Sequence, residues 1–321
     1  MGFISAKEAA EKWNISQRRV AILCAENRIS GAMMVGNMWI IPDDSEKPED
    51  ARSKRFLGNS NLTVKPFVKW AGGKAQILNN IRACYPSGLG GKITKYAEPF
   101  VGGGAVLFDI ISHYDIKEIY ISDINSELIK AYISIRDNLD EMIITLHSLE
   151  NDYLHLDSSN RKDYYYDKRD RFNSLKANSE NEVELASLFI FLNRTCFNGL
   201  YRVNSKGGFN VPMGSYKNPM ICDEENLCAV SKSLQSVNIV CGDYKESADF
   251  IDSKTFVYFD PPYRPLSLTS SFTAYAQNGF GDREQMELAG FIDEMSAKGA
   301  AIVASNSDPK NTDKNDDFKF Q

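Results

Sequence analysis

A short strand-forming run, Lys95-Tyr96-Ala97-Glu98, leads into a loop with three consecutive glycines, Gly102 to Gly104, then a helical stretch from Val106 to His113 and a second strand from Glu118 to Ser122. Parallel strands need a crossover, and a helix that makes it must cover one face of the sheet. Few architectures satisfy that order. Asn125 to Asn138 predicts a long helix, and the alternation returns in the strands Val237 to Cys241 and Phe256 to Phe259. The expected fold class is α/β, a Rossmann-like sheet with helices on both faces. Between about Glu141 and Leu234 the alternation is lost, which predicts an insertion of polar helices followed by a glycine-rich loop.

The first residues predict a small separate module. Ser5-Ala6-Lys7-Glu8 is a capping box that starts a helix through Ala9, Ala10 and Trp13, and Asn14-Ile15 ends it. Ser16 can cap a second helix in which Val20 and Leu23 face inward, while Arg18 and Arg19 occupy the first turn, where they can meet DNA. Gly36-Asn37, between Met33-Met34-Val35 and Met38-Trp39-Ile40-Ile41, is a two-residue hairpin signal. Together these predict a winged helix-turn-helix, similar to excisionase-like and MerR-like modules; a small protein-docking domain is the alternative. Residues 49–62 mix prolines, charges and polar side chains without apolar periodicity and predict a linker. The expected organisation is a DNA-binding module at 1–48, the linker at 49–62, a cofactor-binding part at 63–140, the insertion at 141–235 and a catalytic part at 236–321.

Composition narrows the setting. The 6 cysteines are scattered without a C-x-x-C pair, and with 3 histidines no zinc site can be assembled, so no metal is expected. With Lys7 and Glu8 so early, no secretory signal is expected, and no apolar run reaches the ~18 residues a membrane span requires. A soluble chain in a reduced cytoplasm is expected, with no membrane partner. The net charge of -6 opposes a polyanion partner only if it is evenly spread. Leu185 to Cys222 contains no acidic residue, while Arg194, Arg202, Lys206 and Lys217 lie among Phe197, Tyr201, Phe209 and Tyr216. Basic groups interleaved with aromatics suit a nucleic-acid path.

Three features carry chemistry. The loop Glu98-Pro99-Phe100-Val101-Gly102-Gly103-Gly104 joins a strand to a helix, so backbone N–H groups and missing Cβ atoms let a ligand approach. Asp123 ends the next strand, where an acidic side chain accepts hydrogen bonds from ribose hydroxyls; capping the following helix is its other reading. Asp260-Pro261-Pro262-Tyr263 follows the apolar strand Phe256 to Phe259, at the carboxyl end of the sheet where open α/β folds bind ligands. An exocyclic amine conjugated to a purine is a poor nucleophile, so a site that alkylates it must accept hydrogen bonds from its N–H groups. Asp260 and the carbonyl of Pro261 supply acceptors, the two prolines fix φ without adding N–H groups, and Tyr263 offers a ring on which an extruded base can stack.

Pro66-Phe67-Val68-Lys69-Trp70-Ala71-Gly72-Gly73-Lys74, the glycine loop, Asp123-Ile124-Asn125-Ser126-Glu127-Leu128-Ile129 and Asp260-Pro261-Pro262-Tyr263, in that order, resemble the Dam-type adenine-N6 DNA methyltransferases of the α class. The resemblance spans about Thr63 to Ser307. It implies S-adenosyl-L-methionine as cofactor and double-stranded DNA as partner, with GATC a target by analogy. It places Trp70 and Lys74 at the methionine end of the cofactor; composition alone would put Trp70 in the core. It matches Phe100, Gly102 and Gly104 to the cofactor loop, Asp123 to the ribose acid and Asp243 to the adenine contact, although a lone Asp after a strand is commonly a turn residue. Asp260 would touch cofactor and target base alike. In the insertion, the resemblance assigns Arg194, Asn198, Tyr201, Arg202 and Lys206 to the DNA approach. Pro265-Leu266-Ser267 and Phe272-Thr273-Ala274-Tyr275 resemble the loop that closes over the flipped adenine.

Two departures are visible: the module before Pro66 is an addition, and the chain stops at Gln321, where relatives continue for roughly a helix and a hairpin. The expected reaction is direct methyl transfer from the donor's sulfonium carbon to adenine N6, with no cysteine before Pro261 to attack a pyrimidine. Methylation of RNA adenine or of cytosine N4, and a DNA-binding regulator with an impaired catalytic half, are the alternatives. Whether the methylation serves restriction-modification, replication or a mobile element, and the oligomeric state, are not written in the sequence.

Overall fold

The computed structural model describes residues 2–13, 17–25, 28–36, 38–48, 64–178, 181–262 and 280–306, apart from the side chains at 18, 19 and 22. The chain divides into two compact units, Met1–Leu62 and Thr63–Gln321.

In the first unit, strand β1 (Phe3–Ser5) runs into helix α1 (Ala6–Trp13), followed by α2 (Gln17–Ala25), β2 (Met33–Val35) and β3 (Met38–Pro42). The capping box forms: Ser5 Oγ accepts the Glu8 N–H at 3.2 Å, and the Glu8 carboxylate accepts the Ser5 N–H at 2.8 Å. Ala9, Ala10, Trp13, Val20 and Leu23 are buried as the helical spacing predicts, around Ile41 of β3. Val35 pairs with Met38 across the hairpin, where Gly36 takes φ 60°. The sequence reading omitted β1, which pairs antiparallel with β3. Met33, Met34, Val35 and Met38 stand exposed on the hairpin.

The second unit is built on a five-stranded parallel sheet in the order β6-β5-β4-β7-β8, from β4 (Lys95–Glu98), β5 (Glu118–Asp123), β6 (Val237–Cys241), β7 (Thr255–Phe259) and β8 (Ala301–Ala304). Along it come α3 (Leu78–Arg82), α4 (Ala105–His113), α5 (Ser126–Asp137), α6 (Leu139–His155), α7 (Ser158–Asn178), α8 (Glu182–Thr195), α9 (Glu224–Leu234) and α10 (Asp282–Ala297). Alternation along the strands serves two cores. Tyr96, Ile119, Ile121, Phe256 and Tyr258 face one apolar cluster, whereas Ala97, Tyr120, Val257 and Phe259 face another with Leu288, Phe291 and Met295 of α10. The insertion departs from expectation. Its helix α8 is apolar all round, with Leu185 through Asn193 buried, because it packs on α5, α6 and α7 and is itself core. Among the described residues, no helix is long and apolar enough to cross a membrane.

Because the strands are parallel, the ends of β4, β5, β6 and β7 share one edge. The chain leaves β4 toward β5 on one side, and β7 pairs on the other. A crevice opens where neighbouring connections diverge in this way, so Glu98 and Asp260 flank the place where such sheets bind ligands.

Candidate active site

The glycine loop after β4 adopts a conformation that only glycine takes without strain at two positions. Gly102 has φ 49°, and a Cβ there would stand 2.7 Å from Trp70 Cδ1; Gly104 has φ 73°, and a Cβ there would lie 2.5 Å from the Tyr132 hydroxyl. Tyr132, buried on α5, donates to the Gly102 carbonyl at 3.0 Å and fixes the loop from below. Gly104 also serves as N-cap of α4, without a side-chain bond to its first turn.

Asp123, at the end of β5, accepts the Gly102 N–H at 3.1 Å and the Asn125 N–H at 2.9 Å. The cap of α5 is Asn125, whose side chain accepts the Leu128 N–H at 2.9 Å, so the capping alternative for Asp123 does not hold. Burial pushes the Asp123 carboxyl up to about 6, against the opposing backbone N–H groups. It stands beside the glycine loop with lone pairs left for a ligand.

Across the crevice, Lys74 is almost wholly buried at 5% exposure, and its Nζ lies 2.6 Å from Asp260 Oδ1 while donating to the Gly72 carbonyl at 2.8 Å. Burial raises the Asp260 carboxyl, and the Lys74 ammonium opposes it. Glu98 lies beneath, fully buried, with its carboxylate accepting from the Tyr96 hydroxyl at 2.7 Å. One ammonium faces two carboxyl groups. Burial pushes Glu98 up to about 8, the Tyr96 bond pulls it down and the Asp260 charge pushes it further up, so Glu98 is the group that keeps a proton. Pro261 and Pro262 leave β7 at this point, and the buried Gln285 of α10 donates to the Pro262 carbonyl at 3.1 Å, holding the turn.

The remaining predicted residues separate into groups. Phe100 stacks on Tyr244 with centroids 5.5 Å apart. Asp243 is exposed and its carboxylate caps the short turn of 3-10 helix Tyr244–Asp249 in a capping box, the turn role its position suggested. Asn198 is exposed with φ 54°, beside Phe197, which is 52% exposed. Arg202 is half-buried, with Nε donating to Asn210 Oδ1 at 2.8 Å. Lys206 is exposed on a tight turn in which Asn204 Oδ1 accepts both the Lys206 and Gly208 N–H groups. Arg194 and Tyr201 make contacts within the protein. Arg194 turns inward, donating to the Phe67 carbonyl at 2.9 Å, and Tyr201 is 7% exposed against Trp70. Both contacts arise where α8 and the loop after it pack on the Phe67 to Trp70 segment. Tyr263, the segments at Pro265 and Phe272, and the side chains of Arg18 and Arg19 lie outside the described residues.

Sequence reasoning gave no individual role to Glu98, Gln285 or Asn193. Gln285 shares a helical face with Leu288 and Met295, and a polar residue in an apolar stripe was the available signal. Asn193, at the end of α8, accepts the Lys69 N–H at 2.8 Å and donates to the carbonyls of Lys69 at 2.8 Å and Gly199 at 2.9 Å. No local pattern marks such an asparagine.

With this geometry in place, comparison with known proteins is informative. Residues 70–319 match the D12 class N6 adenine-specific DNA methyltransferase family. The chain is similar to the type II methyltransferase M.MjaIII of Methanocaldococcus jannaschii, 51% identical over 247 residues, which cover 77% of this chain and 85% of that protein. It is 39% identical over 256 residues to the type II methyltransferase M1.LlaDCHI of Lactococcus lactis, covering 78% of this chain and 84% of the relative. A DNA adenine methylase of Haemophilus influenzae is 36% identical over 262 residues, 81% of this chain and 86% of that protein. These matches favour adenine in DNA over the RNA and cytosine readings and over a regulator. The crevice with Lys74 and Asp260 and the extent of these matches lead to one conclusion: the chain belongs to the D12 class N6 adenine-specific DNA methyltransferases, enzymes that methylate adenine in DNA.

Proposed function

We propose that the methyl donor is S-adenosyl-L-methionine, and that the crevice between β4 and β7 holds it next to an adenine taken out of a DNA duplex. The observation that carries this reading is the buried Lys74–Asp260 pair beside the glycine loop. The residues fit the donor. Gly102 and Gly104 let the loop lie tight against Trp70 and Tyr132 in a conformation that leaves its backbone close to the crevice, Asp123 offers a carboxylate for the ribose hydroxyls, and Trp70 and Phe100 provide apolar walls. Lys74 would meet the donor's carboxylate end, and Asp243, at the end of β6, would lie toward its adenine. Bound there, the donor supplies an electrophilic methyl group.

The chain's own residues do the rest by positioning and electrostatics. Asp260, ion-paired with Lys74, accepts one N–H of the adenine amine and the Pro261 carbonyl accepts the other, drawing the nitrogen lone pair out of conjugation. Gln285 holds the Pro262 carbonyl, so the acceptors do not turn away. Tyr263 stacks on the extruded base. Asn198, Arg202 and Lys206, with the half-exposed ring of Phe197, supply polar, basic and stacking groups for the duplex. For the first unit we propose a winged helix-turn-helix that adds DNA contacts through Arg18 and Arg19. Its capped α1, its α2 and its hairpin support that reading.

Calorimetric titration with S-adenosyl-L-methionine tests the donor site. Saturable binding that weakens at least about tenfold in Asp123→Ala is expected, since a charged acceptor facing two hydroxyls is lost. Binding unaffected by that change would move the donor elsewhere. The duplex to try first carries GATC, the target suggested by resemblance.

A further inference from the structure

Tyr201 lies in the stretch that sequence resemblance assigns to DNA, yet its surroundings belong to the donor side of the crevice. Its ring stacks on Trp70 with centroids 6.0 Å apart and planes 25° apart, and Phe189 and Phe209 enclose it, each at 5.7 Å. Its hydroxyl donates to Glu127 Oε2 at 2.6 Å and accepts from Lys176 Nζ at 3.1 Å. Glu127 is buried in the first turn of α5, directly after the Asp123 loop, and takes a further bond from Ser126 Oγ at 2.9 Å. Trp70 also packs so closely against the glycine loop that a Cβ on Gly102 would stand 2.7 Å from its Cδ1. Asp123 accepts the Gly102 N–H and so closes the circuit.

We propose that Tyr201 is a positioning residue for the methyl donor: anchored by Glu127, it sets the depth and tilt of Trp70, the wall of the donor pocket. The inference rests on the donor pocket proposed above. A phenylalanine would fill the same space, so the hydroxyl is not needed for packing. What it adds is a charge-assisted bond to a carboxylate, which is short and directional and holds the ring in one rotation. Burial works to raise the Glu127 carboxyl, but the Tyr201 bond and the Lys176 ammonium outweigh it and hold the group below its ordinary value. The anchor is therefore anionic wherever the protein is assayed near neutrality. Residues on either side of Tyr201 in sequence are left to face the duplex, while Tyr201 itself faces the donor's wall.

The test is Tyr201→Phe in the full chain, with donor affinity read by calorimetry and both substrates varied in steady-state assays. Loss of one charge-assisted bond that acts through Trp70 is expected to raise donor Kd and KM about 3- to 10-fold, with kcat and duplex KM within about twofold of wild type. Tyr201→Leu, which removes the ring as well, raises donor Kd further. Glu127→Gln keeps an acceptor without the charge and shifts donor Kd in the same direction by less, which keeps the test open should the leucine variant not fold. A higher duplex KM with donor Kd unchanged would make Tyr201 a DNA contact and overturn the proposal. So would a fall in kcat alone, or no change in any constant. Absence of saturable donor binding by the wild-type protein is a different failure, because it removes the donor pocket itself.

Discussion

Glu98 holds its proton because it is buried, with the Asp260 charge adding to the effect, and this has a consequence for stability. Burial places its value at about 8 in the folded chain, against 4.5 for an ordinary glutamate. Between those values the native protein binds a proton that the unfolded chain releases, so stability falls as pH rises across the window. Glu98→Gln needs no proton. Its unfolding free energy, measured by urea denaturation, is expected to gain on wild type from pH 5 to pH 8, by up to roughly 1.4 kcal/mol per pH unit. A difference constant across that range would assign the titration to another group. At Gly104 the constraint is steric. With φ 73° and a buried Tyr132 hydroxyl 2.5 Å from the Cβ position, Gly104→Ala is expected to lower unfolding free energy by about 1–3 kcal/mol. Chemical denaturation measures it, and an unchanged midpoint would mean that the loop yields without strain.

At the scale of elements, the segment from Lys65 to Trp70 has no regular structure and is held instead by two asparagines. Asn226 of α9 bonds both the N–H and the carbonyl of Lys65 at 2.9 Å, as Asn193 of α8 does for Lys69 at 2.8 Å. Each side-chain amide imitates a strand neighbour. Asn193→Ala leaves the Lys69 N–H and two carbonyls without partners, a loss on the order of 3 kcal/mol in denaturation. A loss under about 0.5 kcal/mol would mean that water replaces the amide. Such clamps explain where sequence reasoning succeeded and where it did not. Strands β4 and β6 have the bounds expected from Lys95 to Glu98 and from Val237 to Cys241, because alternation and flanking turns are local signals. The glycine loop was legible since its φ values demand that residue. The apolar nature of α8 was present in Leu185 to Leu192 but was submerged in the polar helices around it. Tyr201 could not be assigned from its neighbours, since its role depends on Glu127, which lies 74 residues away.

Across the whole molecule, the chain divides into two compact units, Met1–Leu62 and Thr63–Gln321. The residues proposed to hold the donor all belong to the second. Removing residues 1–62 is therefore expected to leave donor Kd within about twofold and to weaken duplex binding with a shallower salt dependence, as fewer phosphates are neutralised. An unchanged salt slope in filter binding would relieve the first unit of a DNA role. The sheet edge carrying Glu98, Asp123 and Asp260 is the basis of the central claim, that this chain methylates adenine N6 through Asp260. Incubation of the full chain with methyl-labelled S-adenosyl-L-methionine and duplex DNA, followed by mass spectrometry of the nucleosides, tests it most directly. N6-methyladenine from the wild-type protein and none above background from Asp260→Ala is the predicted result. Equal label from both proteins, or label in cytosine, would contradict it.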